Sequence, residues 1–132
     1  MKLVKYNKIA ELQYIDYIEE WEKTGEKITP HSSARKGRTF DEMQGYWEYE
    51  GTDAIREKGY VPATLYFMVD ESGRVYGAAH NRHELNEELL QYGGHIGYGV
   101  RPSERRNGYS TLMLKTMLDM LREKGYDRIM IT

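Results

Sequence analysis

His95-Ile96-Gly97-Tyr98-Gly99-Val100-Arg101-Pro102-Ser103-Glu104-Arg105-Arg106-Asn107-Gly108-Tyr109-Ser110 reads as three pieces: a strand, a basic turn and the opening of a helix. The strand is predicted over 95–100 and the helix over 109–124. In the helix, Tyr109, Leu112, Met113, Thr116, Met117, Met120 and Leu121 recur at helical spacing, and Leu114 and Leu118 broaden the stripe, so the helix is expected to be well buried. Arg122 and Lys124 suit its negative end and Gly125 its C′ position. The turn holds the chemistry. The first amides of a helix have no partners within it, and together with the helix dipole they attract an anion. Gly108 lets the backbone approach a ligand, Ser110 is small and adds a hydroxyl, and Arg105 and Arg106 bring charge. On physical grounds alone a solvated basic turn and a phosphate site stand equally open. The GxxxxGK[ST] pattern is absent, and Gly97-Tyr98-Gly99 lacks the third glycine of a dinucleotide fingerprint.

Working outward, residues 63–69 and 74–80 are short, β-branched and aromatic runs around Asp70-Glu71-Ser72-Gly73, the pattern of an antiparallel hairpin. Residues 86–92 are predicted as one helical turn within a loop, and residues 128–132 as a last strand. A first strand is expected over 2–6. A helix follows over 10–23, with Tyr14, Tyr17, Ile18 and Trp21 on one face. Residues 28–38 read as an exposed loop. Thr39-Phe40-Asp41-Glu42 forms a capping box for a second helix, which Gly45 and Gly51 weaken before a break ahead of Gly59. Trp21 and Trp47 are expected to pack these early helices together. The Met113, Met117 and Met120 series is read as core.

Composition narrows the classes. The 132 residues fit one domain spanning 1–132. Nineteen Lys and Arg against 21 Asp and Glu give a net charge of -2, with no general pull toward nucleic acid or an anionic membrane. The absence of Cys removes disulfides, thiolate catalysis and cysteine zinc sites, and suits a cytoplasmic protein. No run reaches the ~20 apolar residues of a membrane span.

Arg105-Arg106-Asn107-Gly108-Tyr109-Ser110 resembles the [QR]-x-x-G-x-[GA] signature of the GNAT superfamily of acetyl-CoA-dependent N-acetyltransferases, with Ser110 in place of the usual Gly or Ala. The likeness is close over 95–132 and moderate over 60–94, where Pro62-Ala63-Thr64-Leu65-Tyr66-Phe67 and Arg82-His83-Glu84-Leu85-Asn86 are similar to an uncharacterised bacterial subgroup. The resemblance implies an α/β fold, with a mostly antiparallel mixed sheet flanked by helices. The 95–100 and 128–132 strands would run parallel and splay around the thioester. It also implies acetyl-CoA as co-substrate. Arg105, Arg106, Asn107, Gly108, Tyr109, Ser110 and Thr111 would hold the pyrophosphate, and the main chain of Tyr98, Gly99 and Val100 would hold the pantetheine arm.

The acceptor is expected to be an amine of a small molecule or a peptide, and its identity is not encoded in any motif. His83, Glu84 and His95 are candidate bases for its ammonium. His80 and His83 stand beside Glu84 at i, i+3, but no third ligand completes a metal site, and none is expected. Family members continue past the fifth strand with a helix and a hairpin, and here the sequence stops at Thr132. The chain is therefore expected to lack the C-terminal helix and hairpin, and to self-associate as a homodimer through its last strand. The alternative reading is a truncated CoA-binding or regulatory module without catalysis.

Overall fold

The computed structural model describes residues 1–86, 94–126 and 128–129. Its strands are β1 (Lys2–Lys5), β2 (Ala63–Val69), β3 (Val75–Arg82) and β4 (Ile96–Val100), and its helices α1 (Glu11–Thr24), α2 (Phe40–Glu50) and α3 (Tyr109–Glu123). The sheet order is β1-β2-β3-β4, each neighbour antiparallel. The fold class is thus the expected α/β arrangement. Among the described residues no helix is long and apolar enough to cross a membrane.

Alternation along the strands divides the core in two. Leu65, Phe67, Val75 and Ala78 face α1 and α2, where Tyr14, Tyr17, Trp21 and Trp47 complete an aromatic cluster. Tyr14, Trp47 and Phe67 meet edge to face at 5.3–6.1 Å, arrangements that add to the burial of their area. On the opposite face Tyr66, Met68, Ala79, Ile96 and Val100 pack under Met113, Met117 and Leu121 of α3.

The Thr39 hydroxyl accepts from the Glu42 amide at 3.2 Å, and the Glu42 carboxylate accepts from the Thr39 amide at 2.9 Å, as the capping box predicts. A 3₁₀ segment (Asp53–Lys58) follows α2 and ends at Gly59. The buried stripe of α3 is narrower than expected. Met113, Met117 and Leu121 are fully buried, Met120 is half-buried and Leu112 is 42% exposed, because the helix lies on one sheet face with solvent on its far side. β3 also runs two residues further than predicted, to Arg82, with His80 inside the strand. The predicted turn over 86–92 and strand over 128–132 lie largely outside the described residues, as does the parallel pairing of that strand with β4.

Candidate active site

The turn after β4 is held from behind by charge. Arg101, 1% exposed, donates to the Val75 carbonyl at 2.9 Å, the Asp16 carboxylate at 2.8 Å and Glu20 at 3.0 Å. Glu20 then accepts from the Ser103 amide at 2.7 Å and its hydroxyl at 2.9 Å. Partial burial raises the Glu20 pKa, but the Ser103 amide and the Arg101 guanidinium outweigh it and hold the carboxyl below its ordinary range. The start of the turn is therefore pinned to α1.

The two arginines that the sequence presents as equivalent divide. Arg105 forms a two-pronged pair with Glu26 at 2.7 and 3.1 Å and stacks on Trp21 at 4.9 Å, so it ties the turn to the end of α1. Arg106, exposed and at φ 66, has no carboxylate within 4.0 Å among the described residues. It lines a cleft of about 260 Å³ with Val100, Arg105, Gly108, Tyr109, Ser110, Thr111 and Glu104, whose carboxylate is paired with Arg74 at 3.2 Å.

The backbone explains what this cleft can hold. Gly108 is the N-cap of α3 at φ 81, with no side-chain cap, and the first turn carries no acidic residue. The first helical bond runs from the Leu112 amide to the Gly108 carbonyl at 3.1 Å. The amides of residues 106–111 find no acceptor among the described residues. The start of α2 contrasts with this, since Thr39 and Glu42 cap it from within. An uncapped helix start beside an unpaired guanidinium suits a diphosphate.

β4 leads away from this cleft along the sheet edge. Its outer edge pairs with no other strand among the described residues. Arg101 N–H bonds Tyr76 O and Arg82 N–H bonds His95 O, which sets the alternation: residues 97 and 99 turn their main chain to β3, and Tyr98 and Val100 turn theirs outward. Val100 and Gly97 stand three residues apart, about 10 Å of strand. Gly77 and Gly99 are required by close approach. A Cβ on Gly77 would lie 2.6 Å from the Gly99 carbonyl oxygen, and one on Gly99 would lie 2.1 Å from the Thr29 carbonyl oxygen.

Opposite Gly97 on β3 stands His80, and beside it opens a second, larger cleft of about 560 Å³ between β3, α2 and the 31–38 bend. Glu50, 4% exposed at the end of α2, lies in its wall. The Ser32 hydroxyl donates to Glu50 Oε1 at 2.6 Å, and His80 Nε2 lies 3.2 Å from the same oxygen. Oε2 has no protein partner among the described residues. A buried carboxylate with one free oxygen and a neighbouring imidazole can receive an ammonium and take its proton. The guanidinium of Arg82 lies 3.4 Å from the position a Cβ on Gly97 would take, at the junction of this cleft with β4.

His83, Glu84 and His95 gather elsewhere. The His83 ring meets the Thr64 hydroxyl at 2.7 Å, and its carbonyl accepts from the Tyr126 hydroxyl. Glu84 is paired with Arg56. His95 packs edge-on against Tyr126 at 5.6 Å. Burial lowers the pKa of both histidines, so each is neutral near pH 7. None of the three lines the larger cleft. His80 is in a strand, where positions three apart point to opposite faces, so the helical spacing logic that paired it with His83 does not apply. Glu50 was not singled out from sequence. It ends a glycine-interrupted helix and reads as solvated, and its partners lie 18 and 30 residues away.

The model of the acetyltransferase (GNAT) family matches residues 8–132. The comparison with curated proteins returns no match.

Proposed function

The chain belongs to the acetyltransferase (GNAT) family, and on that premise we propose that it transfers an acetyl group from acetyl-CoA to an amine of its acceptor. The observation that carries this reading is the run of amides over 106–111 that donate to no acceptor among the described residues, next to Arg106, which has no carboxylate partner among them. They fit the doubly negative diphosphate of CoA. Bound acetyl-CoA supplies a thioester carbonyl to the acceptor nitrogen.

The residues of the chain then have separate tasks. Arg106 and the turn amides anchor the diphosphate, and Gly108 keeps their approach clear. The outward main-chain groups of Tyr98 and Val100 orient the arm by strand-like pairing. Glu50 and His80 receive the acceptor's ammonium, and Glu50 Oε2 takes its proton, with His80 as the next carrier. The nitrogen gains the acetyl carbon and gives up its second proton to solvent, the C–S bond breaks, and the sulfur leaves as CoA thiol once protonated from solvent. His83, Glu84 and His95 are the alternative bases; the larger cleft favours Glu50, which alone among the described residues presents a free carboxylate oxygen there.

Thiol release from acetyl-CoA, measured over a panel of amines, tests the reading. Turnover is expected with some of them. Glu50→Gln should lower kcat by roughly 10²–10⁴ with CoA affinity unchanged. Turnover lost in His83→Ala but kept in Glu50→Gln would reassign the base. No thiol release with any amine would contradict the activity itself.

A further inference from the structure

The larger cleft has a charge pattern that its catalytic task does not require. Among the described residues that line it, Glu50 is the one carboxylate, against the cations Lys36, Arg38, Lys58 and Arg82. Several arginines elsewhere on the surface are matched: Arg35 with Glu22, Arg56 with Asp53 and Glu84, Arg74 with Asp16 and Glu104, Arg105 with Glu26; Arg106 at the smaller cleft has no such partner among the described residues. Lys36, Arg38 and Lys58 have no carboxylate within 4.0 Å among the described residues. Arg38 instead lies over the Tyr46 ring at 4.6 Å, and its Nε donates to the Arg35 carbonyl at 3.0 Å. Lys58 is 5.5 Å from the Tyr49 ring. Lys36 Nζ lies 2.9 Å from His31 Nε2. These contacts restrain the stems and set no carboxylate of the described residues against the three charges.

Resting on the acyl-transfer reading, we propose that the acceptor is a small amine that also carries an anionic group, a carboxylate or a phosphate. Its ammonium goes to Glu50 and His80 at the cleft floor, and its anion to Lys36, Arg38 and Lys58 at the rim. A polyamine or aminoglycoside would set its remaining cations against that rim with only one carboxylate to receive them. Like charges at such a site select against the wrong ligand. A cleft of about 560 Å³ suits a small molecule.

The experiment compares matched amines as acceptors and, by calorimetry, as ligands: O-phosphoethanolamine against ethanolamine, 4-aminobutyrate against butylamine, and spermidine. Wild type is set beside the protein carrying Lys36→Gln, Arg38→Gln and Lys58→Gln together. The anionic member of each pair should be preferred by tenfold or more, with a KM that rises with salt. The triple substitution should raise that KM about tenfold or more and leave the KM for acetyl-CoA unchanged. Preference for neutral or cationic amines, or equal behaviour of the two proteins, overturns the proposal. If no amine releases thiol but the anionic ones still bind through the rim, the acyl-transfer reading fails and the anionic ligand class stands. If none turns over and none binds, both fall.

Discussion

Replacing Arg101 by Met removes the guanidinium that joins β4, β3 and α1 while keeping much of its volume. Three kinds of partner lose it. The Val75 carbonyl is buried and has no water to turn to, which costs about 1–3 kcal/mol. Asp16 is 57% exposed and rehydrates, so its pair contributes little. Glu20 is 25% exposed and keeps its Ser103 bonds, but it loses the cation that balanced it. The apolar Met recovers some transfer free energy. The net loss should be about 2–4 kcal/mol, toward the lower end for breaking a buried pair. With a urea m-value of about 1.5–2 kcal/mol/M, the unfolding midpoint should fall by about 1–2.7 M. CoA affinity, measured where the protein is folded, should also weaken, because Ser103 and the turn lean on the same network. A midpoint within about 0.3 M of wild type would show that the Arg101 network is not a structural tie.

Further outcomes follow from other contacts. Gly99→Ala places a Cβ 2.1 Å from the Thr29 carbonyl oxygen, so the 29–38 bend must retreat, and a loss of about 3 kcal/mol or more is expected from urea unfolding. Thr39→Ala removes the cap of α2 and should cost about 0.5–2 kcal/mol by the same method, without change in CoA affinity. Stability should fall with acid in two stages, read as the urea midpoint against pH. His31, His83 and His95 have folded pKa values lowered by burial, so the unfolded chain binds protons more readily and stability declines below about 6.5. Glu20 is held low by Ser103 and Arg101 despite burial, and Asp70 is held at about 2, chiefly by the Ser72 hydroxyl, so their contributions are present above about 4 and vanish as pH falls toward 2.

Much of the fold was legible because its signals are local. The capping box, the hairpin around Asp70 and the strand–turn–helix around Arg101 each depend on residues within a few positions of one another. The aromatic cluster followed from one helical face of α1. What escaped the sequence depends on distance along the chain. Glu50 gains its character only when the 31–38 bend and β3 close over it. Arg105 and Arg106 look alike as neighbours, and only Glu26 and Trp21, some 80 residues earlier, separate a structural arginine from a free one. Leu112 was counted as core because the apolar stripe of α3 is wider than the surface that the sheet offers it.

The most direct test is a calorimetric titration of CoA into wild type, Arg106→Ala and Gly108→Val, each verified as folded. A charge-assisted bond contributes about 1.5–3 kcal/mol, so Arg106→Ala should bind roughly ten- to a hundredfold more weakly. Gly108→Val should lose as much, since a branched side chain neither adopts φ 81 readily nor leaves the amides open. Unchanged affinity in both variants would place CoA away from residues 105–111 and contradict the account.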